Sequence, residues 1–179
     1  MMLLAATMAL SGCKEKKQSD DIITSRPEPP KPTAPVRMQP YTDQRDVQWL
    51  GKTYQVVLNR KANDSLHMVK DENGQKFVDN TITLTVKRSD GSTAISKTFT
   101  KAVFERYIDE TFRKSGILEG LVFDKVDGQK LNFAASISLP QTDEYIPLEV
   151  TVDNFGNVNI VRDNTMDTQG ETEEEDDEV

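Results

Sequence analysis

The stretch Leu131-Asn132-Phe133-Ala134-Ala135-Ser136-Ile137-Ser138-Leu139 decides the fold of this chain. Every second residue from Leu131 is apolar, and the residues between are polar or small. A period of two is typical of a strand that buries one face in an antiparallel sheet. The same period returns a few residues later, in Ile146, Leu148, Val150 and Val152. The sequence therefore predicts two antiparallel strands late in the chain.

Four turn signals lie between β-like segments. They are Asn73-Gly74, Asp90-Gly91, Asp127-Gly128 and Asp153-Asn154-Phe155-Gly156. Asn-Gly and Asp-Gly favour two-residue hairpin turns because these turns need positive φ at their central positions. Gly at the end of the fourth signal favours a longer turn. We therefore expect most strands to be joined as hairpins.

Two further regions are predicted to be strands. Ile82, Leu84 and Val86 alternate with threonines. Nearer the start, the apolar residues change parity between Trp49 and Tyr54. A bulge or bend at Gly51 would return both sets to one face of a sheet.

One segment has the period of a helix instead. After Thr100, a candidate N-cap, one apolar stripe comprises Val103, Phe104, Tyr107, Ile108 and Phe112. Arg113 and Lys114 suit the negative end of the helix dipole, and Gly116 suits its end. The pattern predicts a single helix over about residues 101–114.

Strands on either side of one helix indicate an α+β, mainly β domain. We expect antiparallel hairpins that form a curled sheet or barrel-like sandwich, because sheet edges must be covered or closed. A two-sheet β-sandwich is the alternative architecture.

The start of the chain predicts a lipid anchor. The apolar run Leu3–Leu10 has the length of a signal-peptide core and is too short to span a bilayer. It leads into Leu10-Ser11-Gly12-Cys13, which resembles the lipobox of bacterial lipoproteins, where the Cys becomes the acylated N-terminus. No Lys or Arg precedes the run, which fits either a start assigned too late or an atypical signal. The lipid attachment residue is therefore predicted to be Cys13.

Composition divides the rest of the chain into three parts. Residues 13–45 contain six of the eight prolines and predict a disordered, extended tether. Residues 163–179 hold nine acidic residues and no Lys or Arg, so a disordered acidic tail is expected there. The net charge of −8 comes from that tail. Residues 46–162 then form a single globular domain, after a signal peptide at residues 1–12.

The sequence indicates no catalytic, cofactor-binding or metal-binding residues. The single histidine, His67, lies in a loop-like stretch without cysteines around it and is expected to be a surface residue. The only cysteine is Cys13, so thiol catalysis is excluded once it is acylated. No basic patch indicates nucleic acid binding.

Several segments together resemble one family. They are Cys13-Lys14-Glu15-Lys16-Lys17, the Pro-rich tether, Trp49-Leu50-Gly51-Lys52-Thr53-Tyr54, residues 115–124 and residues 141–148. They look like a lipoprotein family of unknown function from bacteria of the Bacteroides–Prevotella group. This resemblance implies a Gram-negative envelope and brings no known activity.

The combined expectation is a non-enzymatic lipoprotein held at the bacterial envelope, at the outer membrane, with its periplasmic or surface-facing orientation open. The membrane would be contacted through covalent lipid, and the partner would be an envelope protein or a glycan. The alternative is a glycan- or peptide-binding accessory lipoprotein, which would need exposed aromatic rings such as Trp49 or Tyr145. An enzyme with a cryptic site is a third, weaker alternative.

Overall fold

Strands make up most of residues 34–163, the part of the chain that the computed structural model describes. The strands are β1 (Tyr41–Trp49), β2 (Lys52–Ala62), β3 (Val69–Lys70), β4 (Lys76–Phe77), β5 (Asn80–Arg88), β6 (Thr93–Phe99), β7 (Ile117–Asp127), β8 (Lys130–Ser138), β9 (Tyr145–Asp153) and β10 (Val158–Arg162). A 3-10 helix (Lys101–Tyr107) and a short α-helix, α1 (Glu110–Ser115), lie between β6 and β7. None of the helices in these residues is long and apolar enough to cross a membrane.

The strands form two four-stranded antiparallel sheets. One has the order β1-β2-β5-β6 and the other β10-β9-β8-β7, while β3 and β4 pair separately. The predicted mainly β, antiparallel class is confirmed. Of the two architectures left open, the structure is consistent with the two-sheet sandwich, and residues 34–163 form no closed barrel.

The apolar faces of both sheets contribute to one core. Leu131, Phe133, Ala135 and Ile137 are buried on β8, and Phe133 is completely inaccessible to solvent. They join one hydrophobic cluster with residues of β2 and β5, such as Val56 and Leu84. Burial of a large apolar side chain contributes about 1.5–3 kcal/mol, so this shared core is the main stabilising element of the domain.

All four predicted turn signals lie at hairpins, and further hairpins join β1 to β2 and β8 to β9. In the turn between β1 and β2, Leu50 and Gly51 have φ angles of 53° and 72°. These positive values are what a tight two-residue hairpin requires. The predicted bend at Gly51 is therefore a complete reversal of the chain, which brings Val47 opposite Tyr54.

The predicted single helix over residues 101–114 is wrong in its continuity. The backbone is extended at Ile108 and Asp109, between the 3-10 helix and α1. The Asp109 side chain accepts hydrogen bonds from the N–H groups of Thr111 and Phe112, so it starts a new helix. Asp competes for backbone groups in this way and therefore favours caps over helix interiors. Gly116 ends α1 as expected; a Cβ there would lie 2.6 Å from the Phe112 carbonyl oxygen.

Residues before the predicted domain start at residue 46 also pair with the strands of the domain. Strand β1 starts at Tyr41, and Val36 already pairs with Phe77 in a parallel bridge. The side chains of residues 41–46 are mostly polar and exposed, so this half of β1 lacks the apolar alternation that predicts a strand. Its backbone pairing with β2 decides its conformation. The predicted signal peptide, the first part of the tether at residues 13–33 and the acidic tail from residue 164 lie outside the described residues.

We predict that Phe104→Asp unfolds the domain. Phe104 is fully buried and stacks on Phe99 at a centroid distance of 6.2 Å. Truncating such a ring costs about 3–5 kcal/mol, and a buried unpaired carboxylate adds to that cost. Val103→Asp is the matched control, because Val103 is the preceding residue and is 41% exposed. Circular dichroism melting should show a cooperative transition for Val103→Asp and none for Phe104→Asp; a cooperative melt of both variants would contradict this placement.

Candidate functional site

The two aromatic residues named as candidate exposed rings, Trp49 and Tyr145, differ in their exposure. Trp49 is only 2% exposed and packs edge-on against Tyr54, at a centroid distance of 5.1 Å. Tyr145 is 49% exposed and lies opposite Ser138, at the other end of the sandwich. Of these two rings, only Tyr145 is therefore exposed as the glycan- or peptide-binding alternative needs. His67 is exposed, as expected for a surface residue.

The connections at one end of the sandwich form what we call the loop end. It consists of residues 63–79, 100–116 and 139–144, together with the incoming segment 34–40. The hairpin turns after β1, β5, β7 and β9 lie at the opposite end, as the strand registers require. Among the cavities of the loop end are one beside Lys101 and one beside Glu119.

A buried polar cluster crosses from β5 to β7 at the loop end. The Asp79 carboxylate accepts hydrogen bonds from the Leu118 N–H at 2.8 Å and the Asn80 N–H at 2.7 Å. The Asn80 amide donates to the Leu118 carbonyl oxygen at 2.9 Å. Both Asp79 and Asn80 are buried. Since the bonds join the starts of β5 and β7, the cluster connects the two sheets.

Lys101 lies in the cavity of about 350 Å³ that also reaches Asp79, His67 and Glu105. Its ammonium donates to the Gly116 carbonyl oxygen at 2.7 Å. Burial lowers the pKa of Lys101, and the charges of Asp79 and Glu105 oppose this shift. Burial raises the pKa of Asp79, while its two backbone hydrogen bonds and the charge of Lys101 act in the other direction. These hydrogen bonds give both groups a structural role. Asp79 connects the two sheets, and Lys101 connects the 3-10 helix to the end of α1.

The second cavity, of about 200 Å³, lies beside Glu119. Glu119 is the extra residue of a β-bulge, because Leu118 pairs with Ile137 and Gly120 already pairs with Ser136. Bulges turn a side chain out of the regular alternation and are enriched next to functional sites. Here the Ser138 hydroxyl donates to Glu119 Oε2, and the Ser136 hydroxyl approaches the same oxygen at 3.5 Å. The bulge therefore brings a carboxylate and two hydroxyls to one point.

Arg60 of β2 binds the backbone of the bulge. Its guanidinium donates to the Glu119 carbonyl oxygen at 2.5 Å and lies 5.8 Å from the centre of the Tyr41 ring. A cation over an aromatic face is attracted by the ring quadrupole. Arg60 and Tyr41 thus connect the first sheet to the bulge of the second.

The remaining chemistry of the described residues is sparse. Within residues 34–163, no group of three or more His, Cys, Asp or Glu side chains is placed to hold a metal ion. His67 lines the cavity beside Lys101, whereas Ser138 lines the cavity beside Glu119. Among the described residues, the cavity that contains the Ser138 hydroxyl is therefore not lined by a histidine. What the Glu119 cavity can do chemically is to bind a group that donates hydrogen bonds to a carboxylate.

Sequence reasoning did not identify Asp79 or Glu119. Asp79-Asn80 directly before the strand pattern of β5 is a weak signal for a polar group at a strand start. Glu119 has no signal, because a bulge depends on the pairing of β7 with β8 and leaves no local pattern. The predicted lipid attachment residue, Cys13, lies outside the described residues.

The described residues define a mainly β, antiparallel domain that is consistent with a β-sandwich. Residues 21–160 match the model of the family described as "Domain of unknown function (DUF4738)", so the chain belongs to that family. No curated protein matches the chain. The match is consistent with the expectation of a family of unknown function, and the matched residues begin after Cys13.

We predict that Asp79 makes the stability of the domain depend on pH in the acidic range. Because its pKa is raised above the ordinary value of 3.8, the folded state holds the proton more tightly than the unfolded state. The contribution of this group to stability is therefore largest at low pH and is lost as the pH rises from 3.8 through the folded pKa. Asp79→Asn removes this titration but keeps an acceptor oxygen for the Leu118 N–H.

Urea unfolding between pH 7 and pH 4 measures the effect. The free energy of unfolding of the wild type, minus that of Asp79→Asn, should increase as the pH is lowered. A difference that stays constant, or that decreases, would show that the folded state does not favour the protonated carboxyl.

Proposed function

We propose that this chain is a bacterial envelope lipoprotein, anchored through a lipid on Cys13, whose β-sandwich is a non-enzymatic binding or assembly module. The observation that carries the proposal is the order of features along the chain. Leu10-Ser11-Gly12-Cys13 follows an apolar run, a Pro-rich segment comes next, and Val36, near the start of the described residues, pairs with Phe77. This is the order expected of an anchor, a tether and a displayed domain.

The way in which the chain enters the domain supports a role for the loop end. Val36 donates to the Lys76 carbonyl oxygen and accepts from the Val78 N–H, both at 2.9 Å. The incoming segment therefore lies beside the Glu119 cavity, and Val36 and Met38 line that cavity. In an anchored protein, the loop end would be the end from which the tether leaves. A partner at the envelope would then meet the cavity-bearing end of the domain.

Resemblance to Bacteroides–Prevotella lipoproteins favours the outer membrane of a Gram-negative cell, in either the periplasmic or the surface-facing orientation.

The second candidate function is that of an accessory lipoprotein that binds a glycan or a peptide, and only one of its two candidate aromatic rings is exposed. Trp49 is buried and is unavailable to stack on a sugar, whereas Tyr145 is half exposed. The Glu119 cavity favours a peptide over a glycan, since a carboxylate in an apolar setting suits a cationic side chain.

We predict that Cys13→Ala abolishes membrane attachment. Two or more acyl chains give stable anchoring, at about 0.8 kcal/mol for each buried CH2 group, and the variant has no thiol to carry them. Detergent-phase partitioning of cells that express each form measures the change. Ser11→Ala is the matched control, because it keeps a small residue at the same distance from the chain start and should remain in the detergent phase. Retention of Cys13→Ala in that phase would contradict the anchor.

The assembly role is tested in the native envelope. Crosslinking of the wild-type chain, followed by affinity purification, should recover a defined envelope protein, and excess soluble domain should compete for it. The same spectrum of proteins with and without the competitor would count against a specific partner.

A further inference from the structure

The cavity beside Glu119 has the shape and polarity of a site for an aliphatic chain that ends in a positive charge. Its volume is about 200 Å³, and Val36, Met38, Phe77 and Ile117 form apolar walls. Phe77 and Ile117 belong to a small hydrophobic cluster of their own, separate from the main core. A satellite cluster of this kind can supply one side of a binding cavity without opening the core of the sandwich.

The polar end of the cavity is built around one carboxylate. Ser138, itself only 8% exposed, donates its hydroxyl hydrogen bond to Glu119 Oε2, and Ser136 approaches the same oxygen. Within residues 34–163, hydrogen bonds are made to Oε2 alone, so Oε1 is the acceptor offered to a ligand. The bulge, with Arg60 bonded to the Glu119 carbonyl oxygen, fixes the backbone from which this side chain projects. The carboxylate is therefore oriented before any ligand arrives, and pre-orientation lowers the entropic cost of binding.

The charges around the cavity favour a cation. Arg37 is the basic residue that lines it, and its guanidinium is engaged with the Asp64 carboxylate at 2.5 Å. Residues 139–142 separate this cavity from a neighbouring depression lined by Asp71, Glu72 and Glu144. A cation that approaches across this loop would meet negative charge first at the rim and then at Glu119.

The loop that covers the cavity has an unusual backbone. Gln141 has a φ of 63°, in the left-handed region that residues other than Gly, Asn and Asp seldom adopt. Thr142 stabilises the turn, since both its N–H and its hydroxyl donate to the Leu139 carbonyl oxygen. Strained backbone of this kind is concentrated at ligand-binding loops.

From these observations we propose that the Glu119 cavity binds a primary alkylammonium group, supplied by a lysine side chain of a partner or by a free aliphatic amine. The methylene chain would lie against Phe77 and Ile117, and the ammonium would donate to Glu119 Oε1. A carboxylate-bearing ligand would meet repulsion from Glu119, and an uncharged apolar ligand would cover Glu119 without donating a hydrogen bond to Oε1. The proposal specifies the ligand class of the binding module proposed above and rests on that role.

The test is a ligand titration of the full chain carrying Cys13→Ala. Two-dimensional 15N–1H NMR spectroscopy monitors the backbone amide signals during the titration. The probes are n-butylamine, N-acetyl-lysine-N-methylamide and n-butanol, which has the shape of butylamine without its charge. We expect saturable shifts of the Glu119 and Gln141 amide signals with the two amines and at least about tenfold weaker binding of butanol, which corresponds to about 1.4 kcal/mol. Tighter binding of the lysine derivative would identify a protein partner as the source, and tighter binding of butylamine a free amine.

Glu119→Gln should weaken binding of both amines by at least about tenfold, because a hydrogen bond between two charged groups is lost. Glu149→Gln is the matched control, since it removes an exposed carboxylate from the same sheet, outside the cavity, and should leave affinity within about twofold. Equal binding of butanol and butylamine to the Cys13→Ala chain would overturn the proposal without the use of a further variant. So would unchanged amine binding by Glu119→Gln.

Failure of this proposal is distinguishable from failure of the proposed function. The titration uses a chain that cannot be acylated, so its result does not depend on membrane attachment. Normal anchoring and a competed envelope partner, together with no amine binding, would overturn the amine site alone. Amine binding together with membrane retention of Cys13→Ala would overturn the anchor alone.

Discussion

The hydrogen bonds of Asp79 are the interaction on which the loop end of the sandwich depends. One buried carboxylate accepts from the Leu118 N–H, and the neighbouring Asn80 amide donates to the Leu118 carbonyl oxygen. These bonds join the start of β5 in one sheet to the start of β7 in the other. A buried polar group is tolerated when its hydrogen bonds are made and is costly when one partner is removed. The relative position of the two sheets at this end is therefore specified by directional bonds as well as by apolar contact.

The proposed binding site is a consequence of this connection. Leu118, the residue held by Asp79 and Asn80, directly precedes the bulged Glu119, and Arg60 of the first sheet bonds to the carbonyl oxygen of the bulge itself. The bulge is thus held on both sides by residues of the first sheet. The Glu119 carboxylate reaches the cavity because β7 departs from regular pairing at this point. A change at Asp79 would accordingly be expected to alter the cavity as well as the stability of the domain.

The strands and hairpins were largely predictable, and the reason is local. The alternation in β8 and β9 follows from one buried face, and Asp-Gly or Asn-Gly at a turn needs no information from the rest of the chain. The helix was predicted in the right segment but without its break, because an apolar stripe at helical spacing does not show that Asp109 will cap a second helix. The start of β1 was missed for a related reason: residues 41–46 are held by backbone bonds to β2, and such bonds leave no side-chain pattern.

The sequence by itself determined the class of the domain, its hairpins, the segment that joins the two halves and the motif at Cys13 that motivates the proposed anchor. Each of these depends on residues close together in the chain. Only the tertiary structure decided that the strands divide into two sheets, that Trp49 is buried, and that Glu119 meets Ser138 beside the incoming segment 34–40. These features depend on pairing and register between distant residues. A one-residue bulge that redirects a side chain is a property of two strands together, and neither strand encodes it alone.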